Sequence, residues 1–282
     1  MVENRPWMAW ITHLVLLCGV LLVAFPLWVA FVASTHAGGD LLSGVTPLLP
    51  GDRLFENYRT VLGSGLSASG GVPVGLMMWN SLVMALSIAV GKIAISIISA
   101  YAIVYFRFPF RMLCFWLIFV TLMLPVEVRI LPTFEVVSDL GMLNSYAGLS
   151  VPLIASATAT FLFRQFFLTV PDELTEAARV DGAGPLRFFL DILLPLSRTN
   201  VAALFVILFI YGWVQYLWPL LVTTDESFYT IVMGIQRMVT VADAEPQWHL
   251  VMATAVLAML PPVAVVVLMQ GLFVKGLVET EK

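Results

Sequence analysis

The sequence predicts an all-α protein that crosses a membrane several times. Of its 282 residues, 60% are hydrophobic and only 11% are charged, and the mean hydropathy is +0.97. Soluble domains are about 45–50% apolar and about 25% charged. The apolar residues also cluster into stretches of about 20, which is the length that an α-helix needs to span a bilayer. Helices are expected there because each backbone amide must find its hydrogen-bond partner within the segment.

Six stretches satisfy this length requirement, and they define one membrane domain over residues 1–282. The predicted spans are residues 10–33, 76–104, 112–126, 146–163, 201–222 and 250–274. The first is expected to remain as an anchor, because it is too long for a secretory signal peptide and no small-residue cleavage site follows it. The third is short before Pro125, and its path could continue irregularly through residues 130–134.

Lysine and arginine residues predict the orientation of the chain. With the N-terminus inside, nine of the 14 basic residues fall in cytoplasmic segments and four in outer segments, while Lys92 lies inside the second span. Cytoplasmic loops of membrane proteins carry an excess of Lys and Arg. Six spans therefore place both termini in the cytoplasm. The Gly- and Pro-rich outer loop between the first two spans is expected to hold one short helix near residues 54–62.

Composition and missing motifs exclude several classes of function. The net charge of −4 indicates no nucleic-acid-binding surface. The three histidines are not clustered and the two cysteines lie in apolar runs, so no metal site is expected. Gly91-Lys92 lacks the upstream glycine of a phosphate-binding loop, and no catalytic motif is recognisable. We therefore do not expect the chain to be an enzyme or to bind ATP or another cofactor itself.

Residues 169–195, between the fourth and fifth spans, have the pattern of a helical hairpin at the cytoplasmic surface. Pro171 and the two acidic residues after it suit the first turn of a helix. Gly182 stands where a residue in the left-handed conformation would end that helix. Pro185 can begin a second short helix, and Pro195 is expected to mark its end. These features alone fit either an amphipathic surface loop or a docking element for another protein.

The spacing within this hairpin resembles the cytoplasmic signature loop of ABC-importer permeases. The matching pattern is Glu176-Ala177-Ala178, Gly182 after three residues, Ile192 after nine, and Leu194-Pro195 after one. In that family the first helix of the loop is a coupling helix, which docks in a cleft of a separate ATPase subunit. The resemblance implies that seven residues couple the chain to this ATPase: Glu176, Ala177, Ala178, Asp181, Gly182, Ile192 and Pro195. The small side chains of Ala177 and Ala178 would let the partner approach the backbone closely.

The resemblance extends over nearly the whole chain and falls in the carbohydrate branch of these permeases, among the maltose-type second permeases. Segments that carry it are Ala100-Tyr101-Ala102, Arg107-Phe108-Pro109, Leu140-Gly141 and Phe163-Arg164-Gln165-Phe166-Phe167. Further segments look most like second permease subunits of sn-glycerol-3-phosphate importers: Leu124-Pro125-Val126-Glu127-Val128-Arg129, Phe209-Ile210-Tyr211-Gly212-Trp213 and Gln215-Tyr216-Leu217-Trp218-Pro219. Val214 departs from the pattern, because relatives commonly have Asn there.

The resemblance implies a type I ABC-importer permease fold and a set of partners. These partners are a homologous permease subunit, two copies of an ABC ATPase subunit that bind ATP and Mg, and an external solute-binding protein. Membrane lipid is a further neighbour, and no nucleic acid is involved. The implied location is the bacterial inner membrane, which the chain crosses several times with both termini in the cytoplasm.

Two cations predict the charge of the transported solute. Lys92 lies near the middle of the second span, where a charged side chain costs about 2.5–3.5 kcal/mol and seldom occurs without a partner or a pathway. Arg129 lies just beyond Pro125, at the outer end of the third span. Neutral-sugar relatives commonly carry apolar or small polar residues at both places, which favours an anion such as sn-glycerol 3-phosphate or a related glycerophosphodiester. Alternatively, Arg129 pairs with Glu127, and Lys92 pairs with the partner subunit for packing alone.

Residues of the fifth span are further candidates for the substrate path: Gln215, Tyr216 and Trp218, beside an expected helix break at Pro219. They could contact the hydroxyls and the carbon face of glycerol. The predicted function is a permease subunit that forms half of the path for sn-glycerol 3-phosphate. The alternatives are a permease for a neutral sugar or polyol, an ion-coupled secondary carrier and an integral-membrane enzyme. A carrier usually shows internal repeats and several intramembrane acids, and neither is visible in this sequence.

Overall fold

Every regular element is a helix in the part of the chain that the computed structural model describes, namely residues 6–41, 47–63, 71–121, 124–240 and 245–279. The helices are α1 (Pro6–Ala33), α2 (Gly38–Leu41), α3 (Leu54–Gly63), α4 (Val74–Tyr105), α5 (Arg111–Val120), α6 (Val126–Asp139), α7 (Tyr146–Ser150), α8 (Ala157–Phe167), α9 (Asp172–Val180), α10 (Pro185–Phe188), α11 (Leu194–Leu196), α12 (Arg198–Trp213), α13 (Leu217–Val222), α14 (Ile231–Val239) and α15 (Trp248–Glu279). Short 3₁₀ turns at Val151–Leu153 and Glu226–Phe228 and a π turn at Phe189–Leu193 complete the set. The predicted all-α class is confirmed.

Three helices within these ranges are long and apolar enough to cross a membrane without interruption. They are Trp10–Ala33 within α1, Val74–Tyr105 as α4, and Trp248–Leu272 within α15. These correspond to the first, second and sixth predicted spans. Two bent pairs also qualify when each pair is taken as one span: Tyr146–Leu153 with Ala157–Phe167, bent by 47°, and Pro185–Leu196 with Arg198–Trp213, bent by 71°.

The third predicted span, residues 112–126, is wrong at its C-terminal end. The helix α5 ends at Val120 after ten residues, which is about half of the length that a spanning helix needs. Pro125 stands instead at the N-cap of α6, with φ −55° and ψ 145°. Proline lacks an amide hydrogen and disfavours helical backbone in the residue before it. Residues 130–134 therefore belong to a new helix rather than to an irregular continuation.

The fourth predicted span, residues 146–163, is divided into α7, a 3₁₀ turn and α8. Pro152 lies in the turn and cannot donate a backbone hydrogen bond to the preceding helical turn. Ser156 then begins α8 as its N-cap, because its hydroxyl accepts a hydrogen bond from the amide of Ala159 at 3.2 Å.

The fifth predicted span, residues 201–222, is also divided, into α12 and α13 with the break at residues 214–216. The break lies before Pro219 and not beside it, and Pro219 sits inside the first turn of α13. The reason is steric, because the ring of a proline clashes with a helical carbonyl four residues earlier, here that of Gln215.

Internal contacts divide the chain into two compact units, residues 1–76 with 234–260 and residues 77–233 with 261–282. In the first unit, hydrogen bonds connect the turn after α1 to the helix α3. The side-chain amide of Asn57 donates to the carbonyl of Ser34 at 2.8 Å and to that of His36 at 2.9 Å. The predicted short helix near residues 54–62 is confirmed as α3.

The second unit is packed around α4. Its core joins side chains from elements that are far apart in the sequence: Met84, Ile88, Val137, Leu149, Trp218 and Val222. The Cβ that a side chain would add at Gly212 lies 2.8 Å from Ala85 Cα, and one at Gly91 lies 2.8 Å from Ile154 Cδ1. The helix α4 therefore packs directly against α12 and against the break between α7 and α8.

Replacing Gly212 by Ala is expected to destabilise the protein, although Ala forms helices better than Gly by about 0.5–1 kcal/mol. The new methyl group would overlap the backbone of Ala85 in α4, and overpacking of this kind costs about 1–3 kcal/mol. Gly271→Ala is the matched control, because nothing lies within 4 Å of a Cβ at that position. Thermal unfolding of the purified protein should give a lower midpoint for Gly212→Ala alone. Equal midpoints for the two variants would contradict the close approach.

Candidate functional site

A cavity of about 120 Å³ lies in the second unit, between α4, α6, the break that precedes α8, and the break between α12 and α13. The residues that line it are Lys92, Arg129, Ile130, Thr133, Pro152, Leu153, Ala155, Tyr211, Gln215, Leu217 and Trp218. A larger groove of about 730 Å³ shares Lys92, Arg129, Ala155 and Tyr211 with this cavity. Among the described residues that line the two spaces, the charged ones are both cations.

Lys92 is the charged group at the centre of this site. Its side chain is only 8% exposed, and its ammonium lies 4.0 Å from the centroid of the Tyr211 ring. Among the carboxylates whose side chains the structure describes, none lies within ion-pair distance of it. A cation over an aromatic face is stabilised by about 0.5–2 kcal/mol, which is less than a buried charge loses on leaving water. No described side chain therefore compensates this positive charge, and an anion in the cavity would stabilise it.

Arg129 lies at the exposed edge of the same cavity. Its planar guanidinium can bind a phosphate through two parallel hydrogen bonds, whereas Lys92 acts as a point charge. The side chain of Glu127 lies outside the described residues, so the alternative pairing of Arg129 with Glu127 stays a prediction.

The two helix breaks form the wall opposite α4, and side chains satisfy the backbone groups that the breaks expose. The carbonyl of Gly148 in α7 would normally bond the amide four residues later, but Pro152 has none. The indole nitrogen of Trp218 donates to that carbonyl at 3.0 Å instead. At the other break, the side-chain amide of Gln215 donates to the carbonyl of Tyr211 at 3.2 Å. The polar atoms of Gln215 and Trp218 thus hold the wall together as well as lining it.

The structure brings together four of the five residues that the sequence predicted for the substrate path: Lys92, Arg129, Gln215 and Trp218. Tyr216 does not line either space and is about 36% exposed in the break between α12 and α13. Its predicted role as a contact in this cavity is not supported by its position. Sequence reasoning missed the importance of Tyr211, although its spacing of four residues from Gln215 places both on one helix face.

A polar network near the N-terminal end of α4 was also missed. The amide of Asn80, which is fully buried, donates to the carbonyls of Ser227 and Tyr229 at 2.8 and 3.0 Å. The hydroxyl of Tyr146 donates to its side-chain oxygen at 2.7 Å. Nearby, the hydroxyl and amide of Ser227 donate to Asp225 and lower the pKa of that carboxyl. The loop after α13 is therefore fixed to α4 and α7.

The predicted hairpin begins with α9 and turns at Gly182, which has φ +71° as expected for a left-handed cap. Two backbone hydrogen bonds close the helix end, from Gly182 N to Arg179 O at 3.0 Å and from Ala183 N to Ala178 O at 2.8 Å. This is the Schellman arrangement. Because nothing lies within 4 Å of a Cβ at Gly182, its backbone conformation is the reason for glycine there.

The side chains of α9 divide between an outward and an inward face. Glu176, Ala177, Asp181 and Gly182 are exposed and available to another protein, whereas Ala178 is buried. The side chain of Ala178 is therefore turned away from the exposed face of α9, and its part in coupling stays a prediction. The helix turns this side chain inward, where it lines a cavity beside the end of α4.

The second half of the hairpin is anchored to the end of α4. The hydroxyl of Tyr101 donates to the carbonyl of Pro185 at 2.8 Å, and its ring centroid lies 4.9 Å from that of Phe189. Tyr105 and Phe188 make a similar contact at 5.3 Å.

The second helical segment of the hairpin was expected to end at Pro195, but it continues past this residue. A π turn at Phe189–Leu193 precedes α11, which continues to Leu196. Widening the helix to the π form lets it accept a residue without an amide hydrogen. Ile192 and Pro195 are half-buried within this part of the hairpin.

Broken membrane helices around a cationic cavity, together with an amphipathic hairpin anchored to one of those helices, define a membrane transport component. Residues 92–279 match the family described as "Binding-protein-dependent transport system inner membrane component". The chain belongs to this family. It is therefore a multi-pass permease of a binding-protein-dependent transport system and not an enzyme.

Curated relatives and a solved structure extend this assignment. The chain is 62% identical over 282 residues to the sn-glycerol-3-phosphate transport system permease protein UgpE of Brucella melitensis, and each chain is covered completely. The proteins of the same name from Agrobacterium fabrum and Yersinia pestis are 62% and 58% identical over the same length. A crystal structure of a bacterial ABC transporter involved in the import of the acidic polysaccharide alginate has a chain of the same fold. Its TM-score is 0.80 at 20% identity, with 96% of this chain and 98% of that chain covered.

Replacing Trp218 by Phe is expected to destabilise the wall of the cavity. The carbonyl of Gly148 would lose its donor, and Pro152 cannot supply another. An unsatisfied buried acceptor of this kind costs about 1–3 kcal/mol. Trp79→Phe is the matched control, because Trp79 is 55% exposed on α4. Thermal unfolding should show a lower midpoint for Trp218→Phe, and an unchanged midpoint would contradict the role of this hydrogen bond.

Proposed function

We propose that the chain is one of two homologous permease subunits of an ATP-driven importer and forms half of the translocation path for sn-glycerol 3-phosphate. The observation that carries the proposal is the buried ammonium of Lys92, which faces a cavity and has no carboxylate partner among the described residues. The names of relatives that are 58–62% identical support the same substrate. A dianionic phosphate would supply the negative charge that compensates the cations of the cavity.

In the proposed complex, two copies of an ATPase subunit bind ATP and Mg, and an external solute-binding protein delivers the substrate. No step of nucleotide chemistry is assigned to this chain. Both termini lie in the cytoplasm of a bacterium, and the chain crosses its inner membrane. The distribution of Lys and Arg supports this orientation.

The hairpin is proposed to couple ATP hydrolysis to transport. Glu176, Ala177 and Asp181 would contact the ATPase, because they are exposed on α9. Gly182 would set the angle between α9 and the rest of the hairpin. Ile192 and Pro195 would act from within the hairpin, because they are half-buried and shape the segment that Tyr101 holds against α4.

Substrate binding is expected to depend on both cations. Replacing Lys92 by Met or Arg129 by Leu should lower the affinity for sn-glycerol 3-phosphate by about 10- to 100-fold each, because a hydrogen bond to a charged group contributes about 1.5–3 kcal/mol. The measurement is uptake of labelled substrate by proteoliposomes that contain the complete complex. Lys92→Arg and Arg129→Lys are the matched controls, since they retain the charge and should retain part of the affinity.

Uptake separates the proposed substrate from the alternatives, provided that each variant assembles with its ATPase. Unchanged uptake of sn-glycerol 3-phosphate in Lys92→Met and Arg129→Leu would assign both cations a structural role. A neutral sugar or polyol as the main substrate would be transported equally by these variants. Uptake that persists after deletion of the ATPase gene would identify a secondary carrier instead.

Coupling is expected to require the left-handed turn at Gly182. Valine would be strained there by about 1–2 kcal/mol or more, whereas Asn tolerates a positive φ. Gly182→Val should therefore reduce ATP-driven uptake severalfold while the subunit still assembles, and Gly182→Asn should retain most of it. Co-purification of the ATPase reports assembly. A Gly182→Val complex that assembles and transports at the wild-type rate would refute the coupling role.

A further inference from the structure

An apolar groove lies at the elbow where the hairpin meets the fifth span. The segments Pro185–Leu196 and Arg198–Trp213 meet there at an angle of 71°. The groove has a volume of about 590 Å³, within the range of about 300–1,000 Å³ that is typical of ligand pockets. Leu194 and Phe205 form one wall and Leu272 of α15 forms another, so the groove runs from the hairpin down the side of α12.

Arg198 is the charged residue among those that line this groove. It is the first residue of α12, its side chain is exposed, and none of the carboxylates whose side chains the structure describes lies within 4.0 Å of its guanidinium. Arg187, in the same hairpin, differs in this respect. Its Nε donates to Asp191 at 3.2 Å, so its charge is compensated within the chain. The charge of Arg198 is therefore available at the end of an apolar groove.

We propose that this groove binds one anionic phospholipid of the cytoplasmic leaflet, with an acyl chain along Phe205 and Leu272 and the phosphate on Arg198. The orientation of the site rests on the proposed function, which places the hairpin in the cytoplasm. Arg198 then lies at the level of the lipid headgroups, because it follows directly on the surface hairpin. Basic pockets between membrane helices on the cytoplasmic side bind anionic headgroups in this way.

Charge complementarity favours a lipid over a second protein as the occupant. A protein surface would have to place a carboxylate against Arg198 and a matching ridge in the groove, whereas an anionic lipid brings a phosphate and a flexible chain together. The guanidinium can hold such a phosphate through two hydrogen bonds. A lipid bound here would brace the elbow between the hairpin and α12, where movements of the hairpin reach the membrane.

Retention of lipid by the purified complex tests the site. Native mass spectrometry is carried out on the complete complex after reconstitution with phosphatidylglycerol or with phosphatidylcholine. The wild-type complex should retain phosphatidylglycerol, and Arg198→Gln should reduce its retention about fivefold or more. Arg198→Lys should retain an intermediate amount, because it keeps the charge without the planar fork. Arg187→Gln is the matched control, since it removes a guanidinium from the same hairpin but one that is already paired.

Three results would overturn the proposal. Equal losses in Arg187→Gln and Arg198→Gln would show that retention depends on net charge alone. Equal retention of phosphatidylcholine and phosphatidylglycerol would show that the groove does not select an anion. In a cross-linking experiment, the variant Phe205→Cys could form a disulfide with a cysteine introduced into the second permease. Such a disulfide would show that protein fills the groove. Lipid retention requires neither substrate nor ATP, so these results are independent of the uptake measurements on Lys92 and Arg129.

Discussion

The need to satisfy backbone polar groups at membrane depth governs this structure. Non-helical backbone is tolerated there only where it is buried in protein or lines a cavity. Both breaks in the predicted spans meet this condition through named side chains. At the break between α7 and α8, the indole of Trp218 donates to the carbonyl of Gly148. At the break between α12 and α13, the side-chain amide of Gln215 donates to the carbonyl of Tyr211 at 3.2 Å. These hydrogen bonds stabilise the two breaks, which form one wall of the cavity.

The same constraint explains how the cavity carries a positive charge. A carboxylate beside Lys92 would compensate the ammonium, but it would also compete with any anionic solute. The face of Tyr211 attracts the ammonium without neutralising it. Close packing keeps the arrangement fixed, since α12 packs against Ala85 of α4 at Gly212, and the break before α8 packs against α4 at Gly91. The geometry thus favours a ligand that brings its own negative charge.

Much of the fold follows from the sequence alone, because local signals decide it. The uninterrupted apolar runs of α1, α4 and α15 predict long helices, and the glycine at position 182 predicts the turn of the hairpin. The helix breaks were not predictable in position, because they depend on partners that are distant in the sequence. A proline indicates that a helix is interrupted nearby, but it does not indicate at which residue the break begins. Trp218 and Gln215, whose side chains satisfy carbonyls at the two breaks, carry no sequence signal of that role.

The candidate site was predictable to a similar extent. A lysine inside an apolar span is conspicuous, because a charge at that depth seldom occurs without a partner or a pathway. The spacing of Tyr211 from Gln215 was a usable signal, but its contact with Lys92 depends on how α12 is rotated against α4. The inward position of Ala178 depends in the same way on the rotation of α9. Rotation of a helix is set by packing, as at Gly212 and Ala85. A sequence pattern shows which face of a helix is apolar. It does not show which neighbouring helix that face will contact.

One helix connects the cavity with the hairpin. Lys92 and Tyr101 lie on α4, nine residues apart, which corresponds to about 13 Å at 1.5 Å per residue. The helix has no internal proline and is not broken, unlike the other helices that line the cavity. At one end of this interval Lys92 faces the cavity, and at the other Tyr101 holds the hairpin through Pro185 and Phe189. On the proposed function, a displacement of the hairpin by the ATPase would reach Lys92 through a single rigid element, with no flexible joint between them.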